Sequence, residues 1–329
     1  MSRITSGAPR TSEGLAPAAG WGDGWPTHRL FGLYLFVSGL ALLFPGRPAT
    51  WPLLALLHLC GGALALGIGP AGRLAEAARR KWPRVSRFVG DWYFLLLLPF
   101  LYSELAILNQ AVHGGRYFDD VVLRWEEALF GGQPSRTLAA AAPHLLLSEA
   151  LHSAYLSYYL IIYGPPLILY ATRRFADYRR VIFALMLTFV VHYLFFIYFP
   201  VQGPRYLFPA PGGELASGPV YRLTHRVLEA GSSRGAAFPS SHVAVAVAQT
   251  LVTARILPRL FPLLAVLTIG LGLGAVYGGF HYATDAVVGL GMGALLVALA
   301  PTAARLLRPR ASVAGGTAAA VPGERAFEG

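Results

Sequence analysis

The sequence predicts an all-α, polytopic membrane protein with about eight spans. Three observations carry that expectation. Of 329 residues, 55% are hydrophobic and only 13% charged, about half the charge of a soluble domain, and the mean hydropathy is +0.52. The apolar residues gather in runs near the ~20 residues a helix needs to cross ~30 Å of hydrocarbon. The basic residues, all but Lys81 arginines, fall between those runs. A formal charge of +11 would otherwise point to nucleic acid, but this placement suits membrane topology, so no nucleic-acid partner is expected. The single cysteine, Cys60, lies inside an apolar run and can form neither an intrachain disulfide nor a cysteine metal site.

Taken in order, residues 1–27 are rich in Gly, Ala, Pro and Ser without an apolar run. They read as a disordered N-terminal tail with no signal-peptide core. Residues 28–87 hold two N-terminal transmembrane helices and a basic cytoplasmic loop. Span one is 30–44, closed by Pro45-Gly46. Span two is 51–68, and the loop carries Arg73, Arg79, Arg80, Lys81, Arg84 and Arg87. Residues 88–307 read as a six-helix catalytic membrane domain. Span three is 88–108. In 118–130, Val121, Val122, Trp125, Ala128 and Leu129 recur with charges between them, the pattern of an amphipathic helix in the membrane interface. Gly131-Gly132-Gln133-Pro134-Ser135 ends it. Span four, 145–170, contains Gly164-Pro165-Pro166, where a kink is expected. Span five, 181–199, stops at Pro200. The longest polar connection between late spans, 201–237, comes next. Spans six to eight are 242–257, 261–277 and 286–307, and 308–329 reads as a second disordered tail.

With the N-terminus inside, the inner segments hold nineteen basic residues and the outer ones eight, which follows the positive-inside rule at each short loop. This orientation predicts a multi-pass protein of the plasma (inner) membrane with both termini cytoplasmic. His242, His281 and the 201–237 connection then share the extracytoplasmic face.

The chemistry concentrates in Ala237-Phe-Pro-Ser-Ser-His242 and Phe280-His-Tyr-Ala-Thr-Asp285. Two apolar runs separate the histidines, so the chain crosses and returns, and both belong at one face. Asp285 follows His281 by one helical turn and shares its side of the helix. A carboxylate on one imidazole nitrogen fixes the tautomer and leaves the other lone pair free to attack. His242 is a second imidazole, able to protonate a leaving oxygen. Ser240 and Ser241 stand at an expected helix N-terminus, an anion site by virtue of its unpaired amides. Arg205 and Arg234 can bring positive charge to the same face. An anion cradle, two imidazoles and a carboxylate fit phosphoryl transfer through a phosphohistidine. Each motif alone has an ordinary alternative: a serine helix cap, a helix-surface pair, or half of a metal site. Glu104, Glu149, His152 and His192 are further ionisable residues within spans. Glu149 and His152 are candidates for an acceptor pocket or, equally, an interfacial structural pair, and His192 is a candidate for the cavity floor. Tyr155, Tyr158 and Tyr159 read as packing residues.

Phe-Pro-Ser-Ser-His and Tyr-Gly-Gly-Phe-His-Tyr-Ala-Thr-Asp resemble the second and third motifs of the type 2 phosphatidic acid phosphatase superfamily. The resemblance covers roughly residues 91–307. It implies a six-helix phosphatase-type core preceded by two extra spans, with His281 as nucleophile, Asp285 as its orienting partner and His242 as general acid. It also implies Ser240 and the backbone around Ser241 as phosphate ligands. The family's third-motif serine and arginine would fall at Gly274 and Ala275. Its first motif has no clear match, Gly203-Pro-Arg205-Tyr206 standing near its place. Arg205 and Arg234 would supply the missing charge. The pattern Gly-Pro-Arg, Phe-Pro-Ser-x-His, His-Tyr-x-x-Asp, with Phe118-Asp119 through Pro134, is closer to the inositol phosphorylceramide synthase branch, and Tyr206 joins the candidate acceptor pocket. The expected partners are a membrane lipid phosphoester and a water or hydroxyl acceptor, with no metal and no other cofactor. Simple hydrolysis, a His/Asp metal hydrolase and a lipid transporter or binding protein remain the alternatives.

Overall fold

The computed structural model describes residues 25–308. The tails expected to be disordered lie outside the described residues, except for Arg308 and the buried Trp25, and for Pro26 and Thr27, which already belong to the first helix. Fourteen α-helices follow one another among the described residues. They are α1 (Pro26–Gly39), α2 (Trp51–Leu66), α3 (Gly69–Lys81), α4 (Pro83–His113), α5 (Asp119–Phe130), α6 (Pro134–Ala141), α7 (Leu145–Leu156) and α8 (Tyr158–Ala171). After these come α9 (Phe175–Tyr198), α10 (Pro204–Leu207), α11 (Pro219–Gly231), α12 (Ser241–Ile256), α13 (Phe261–Tyr277) and α14 (Ala283–Leu306). The chain is an all-α polytopic membrane protein. Among the described residues, five segments are long and apolar enough to cross a membrane: α4, α7 with α8, α9, α13 with the 3₁₀ turn before it, and α14. The other expected spans form the shorter helices α1, α2 and α12.

Helix α9 is the central post. Tyr178, Val181, Ile182, Leu185, Phe196 and Ile197 are fully buried along it, and it packs against α1, α4, α8, α12 and α14. The surrounding helices bury one side and expose large apolar residues on the other, such as Phe100, Leu160, Val266, Ile269 and Leu290. In water such a belt would be an association site; in a bilayer it meets lipid. Helix α12 lies against α14 at small residues. A Cβ on Gly289 would come within 2.5 Å of the Ser240 carbonyl, and one on Gly293 within 2.3 Å of that of Ala244. Glycines one turn apart let two membrane helices approach at backbone distance, and here they join the helix starting at Ser241 to the one starting after His281.

Four expectations change. The basic loop of 69–87 is largely helix α3, where Glu76 pairs with Arg79 and Arg80 three and four residues on. Span four divides into α7 and α8 at Ser157. Its hydroxyl donates to the Ala154 carbonyl at 2.6 Å, one of the local bonds that competes with regular helix, while Pro165 and Pro166 lie within α8. The 201–237 connection contains α10 and the amphipathic α11. Glu104 meets His58 of α2 at 3.6 Å, a polar link between the extra helices and the rest, and His192 donates through Nδ1 to the Thr188 carbonyl, 2.7 Å away, deep in the core.

Candidate active site

Both histidines stand at helix starts for local reasons. Ser240 caps α12, its hydroxyl accepting from the Val243 amide at 3.3 Å. Asp285 caps α14 from its first turn, accepting from the Tyr282 amide at 2.9 Å. The two starts are tied, because the Ser240 amide donates to the Asp285 carbonyl at 3.0 Å. As a result the rings of His242 and His281 face each other with centroids 5.6 Å apart.

His281 is held at one nitrogen. Its Nδ1 lies 3.1 Å from the Ala237 carbonyl and 3.3 Å from Asp285 Oδ2. Both partners are acceptors, so Nδ1 carries the proton and the lone pair sits on Nε2. Burial lowers the His281 pKa to about 4, against the opposing pull of the Ala237 carbonyl, so the ring is neutral and nucleophilic at pH 7. His242 packs against Tyr155 and Tyr158, with centroids 5.5 and 4.6 Å away, and its Nδ1 is buried without a hydrogen-bond partner. Those tyrosines hold the ring, in agreement with the packing role expected of them.

The expected phosphate ligands divide. Ser240 is occupied as cap and α12–α14 link. Ser241 is buried beside it, and its amide and that of His242 precede the first intrahelical bonds of α12 and are left to a ligand. Arg205 is half-buried and donates to Ser232 Oγ at 2.8 Å. Arg234 is exposed, donates through Nε to Gln202 Oε1 at 2.6 Å and stands over the rings of Tyr117 and Tyr206. Gly203 explains how Arg205 approaches. Its φ of 89° is left-handed, and a Cβ there would lie 2.9 Å from that of Ala237; only glycine adopts such a backbone without cost. The absence of serine and arginine from the third motif also has a structural cause. A Cβ at Gly274 would come within 2.4 Å of the Leu151 carbonyl of α7, and Ala275 is fully buried, its carbonyl accepting from the amides of Phe280 and His281 at 3.0 Å each.

Two acidic residues of α5 organise the site, and sequence reading missed both. Asp119 accepts from the amides of Gln202 and Gly203 at 2.9 Å each and from the Tyr282 hydroxyl at 3.0 Å. It thereby joins the arginine turn to the residue after His281. Glu126, two turns on along the same face, accepts from the amides of Ala283 at 2.5 Å and Thr284 at 3.3 Å. The expected amphipathic helix is present, but its buried face carries two carboxylates around Val122, whereas Leu129 is exposed and Trp125 is half-exposed against Phe199 and Phe238. The seven-residue spacing of Asp119 and Glu126 around buried Val122 was the available clue.

The three acceptor-pocket candidates gather around α11. Glu149 caps α11, its carboxylate accepting from the amides of Val220 and Tyr221 at 2.9 Å each. His152 is buried, with Nδ1 at the Ser148 carbonyl, and packs against Tyr221 and His225. The hydroxyl of Tyr206 meets Ser232 Oγ at 2.9 Å. A cavity of about 290 Å³ does open beside the site, lined by Ser135, Arg136, Arg205, Phe208, His225 and Gly279, and none of the three candidates lines it. His225 was not anticipated. Burial, then the neighbouring His152 and Arg205, lower its pKa to about 4.

A family model now meets this geometry. The PAP2 superfamily model matches residues 120–299, more than half of the chain. The chain belongs to the PAP2 superfamily. That membership gives it a lipid phosphatase-type function in the phosphoric ester hydrolase class. The match runs from α5 through most of α14 and contains both histidine motifs, Arg205 and Glu126, while α1 to α4 precede it. No curated protein and no solved structure matches the chain.

Proposed function

We propose that this PAP2 protein cleaves a lipid phosphoester through a phosphohistidine and passes the phosphoryl or headgroup-phosphoryl unit to a hydroxyl acceptor, as in the inositol phosphorylceramide synthase-like branch. The observation that supports it most is the facing pair of imidazoles, with His281 Nδ1 tied to Ala237 and Asp285. In the first step His281 Nε2 attacks phosphorus, the phosphorus–oxygen bond to the leaving group breaks, and His242 gives that oxygen a proton. In the second, His242 takes the proton of the acceptor, whose oxygen attacks phosphorus as the nitrogen–phosphorus bond breaks. Asp285 supports the charge on His281 in both steps. The Ser241 and His242 amides and Arg205 bind the phosphoryl oxygens, a task for which the guanidinium fork is suited. Arg234, held at the rim by Gln202, adds charge for the approaching headgroup. The cavity lined by Arg136 and His225 is where a headgroup or acceptor would lodge.

The arginine distribution supports an extracytoplasmic site in the plasma membrane, with the termini inside. A Glu214→Cys chain lacking Cys60 would then be labelled by an impermeant maleimide added to intact cells; protection there with labelling after lysis would reverse the orientation. The activity test offers purified protein phosphatidic acid or phosphatidylinositol, with and without ceramide or diacylglycerol, with His281→Ala as control. A headgroup-bearing lipid formed only with acceptor supports transfer. His281-dependent free phosphate supports plain hydrolysis. Neither product over a broad lipid panel overturns the enzymatic reading in favour of binding or transport.

A further inference from the structure

At the end of the molecule opposite the histidines, a groove of about 850 Å³ opens between the start of α9 and the far ends of α12 and α14. Arg174, Arg179, Arg180, Arg255, Arg305 and Arg308 line it, against a single carboxylate, Asp177. Asp177 takes Arg174 at 2.7 Å and Arg180 at 3.2 Å. Arg305 reaches only the Thr302 hydroxyl, and the guanidinium groups of Arg255 and Arg308 have no hydrogen bond or ion pair among the described residues. Arg179 stands over the Trp25 ring and interacts with Asp91; the other five arginines and Asp177 leave four positive charges in one concavity. Topology alone asks for arginines on this side, but not for a cavity between them. Nor does it ask for an apolar wall, which Val252, Ile256, Val297, Ala300 and Ala304 provide as the groove runs toward the hydrocarbon. The chain beyond the described residues offers no net counter-charge. Residues 1–24 carry two arginines, one aspartate and one glutamate, and residues 309–329 two arginines and two glutamates.

We propose that this groove binds an anionic phospholipid of the leaflet opposite the active site. Its phosphate would sit among Arg180, Arg255 and Arg305, and its acyl chains along the Val252–Val297 wall. Charge complementarity selects the headgroup, since basic pockets between membrane helices on the inner side hold acidic lipids, and the apolar wall selects a lipid over a soluble anion. The site is distinct from the catalytic one. The sixteen residues of α12 separate them by about 24 Å at ~1.5 Å per residue. Because α12 and α14 carry the histidines at their other ends, a lipid bridging Arg255 and Arg305 would clamp the same two helices.

Native mass spectrometry of the full chain in detergent tests this, with dioleoyl phosphatidylglycerol and dioleoyl phosphatidylcholine as probes. The wild type should retain phosphatidylglycerol at least tenfold better. The R180Q/R255Q/R305Q variant should lose that preference, the corresponding lysine variant should recover most of it, and His281→Ala should keep it. Equal retention of the two lipids, or undiminished preference in the glutamine variant, overturns the proposal. So does equal thermal protection by soluble glycerol 3-phosphate, or binding that appears only once residues 309–329 are deleted, which would make the chain's own tail the occupant. If the triple variant does not elute as folded protein, Arg255→Gln and Arg305→Gln are measured singly, each expected to lower the preference at least threefold; no change in either overturns the site.

Discussion

Helices α12 and α14 end in opposite ways. At the histidine end, hydrogen bonds within the protein fix the backbone turns and the His281 ring, although His242 Nδ1 and Asp285 Oδ1 stay unpaired. Ser240 is bonded to Asp285, His281 to Ala237, and the turns at Gly203 and Ala283 to Asp119 and Glu126. At the arginine end, Arg174, Arg180, Arg255, Arg305 and Arg308 share one aspartate, Asp177. A region saturated by internal hydrogen bonds is preorganised, so it can meet a developing charge without rearranging. A region with unmatched charge depends on ligands from outside. The difference suits the first end to the proposed chemistry and the second to the proposed attachment of a lipid.

The comparison breaks most sharply at His281. Replacing it with alanine should remove turnover by more than ~10⁴-fold, read as product from a lipid phosphoester, while the melting temperature in detergent stays near that of wild type. Turnover within tenfold of wild type would remove the nucleophile from this reading. His242→Ala should lower the rate by ~10²–10⁴-fold, with a smaller loss for a substrate whose leaving group needs no proton. EDTA should leave turnover unchanged, and inactivation restored by a divalent cation would favour the metal-hydrolase alternative.

Asp119→Asn sharpens the contrast next. An asparagine amide would face two backbone donors where the carboxylate now accepts both, so stability should fall by ~1–3 kcal/mol and activity with it. Asp120→Asn, one residue away and paired only with exposed Arg124, should stay within ~0.5 kcal/mol. Equal effects in a chemical-unfolding assay would show that Asp119 organises nothing. Gly203→Ala should cost ~1–2 kcal/mol through its left-handed backbone, and more where the new Cβ meets Ala237.

The smallest effect is on pH. His281 and His225 have folded pKa values near 4, below the ordinary 6.5. Between pH 6.5 and about 4 the unfolded chain therefore binds more protons, and stability falls as the pH falls through that window. Above pH 6.5 neither ring contributes a slope. Melting temperature followed from pH 8 to pH 4 should drop mainly below 6.5, and less steeply in His225→Ala. An identical profile in that variant would contradict the burial of His225 as its cause.

Spans were legible because hydrophobic length is a local property, whereas the division of span four at Ser157 had no signal as strong as the prolines further on. The motif pair was legible because helix caps and one-turn spacing are local too. The roles of Asp119 and Glu126 were not. Their charges made α5 look like a helix with a solvated face, and only its seat over the His281 loop makes those carboxylates internal. Likewise Glu149 read as a free ionisable group until the start of α11 was found against it.

By itself, the sequence determined the membrane class, the placement of charge between spans and the pairing of two histidine motifs across a crossing and return, since hydrocarbon thickness and helical periodicity act on neighbouring residues. Tertiary structure alone decided that the imidazoles face each other, that α5 braces them, that Gly274 and Ala275 leave no room for the family's missing side chains, and that six arginines from three helices enclose one groove. These depend on the approach of segments far apart in the chain, and packing, not local preference, sets those distances.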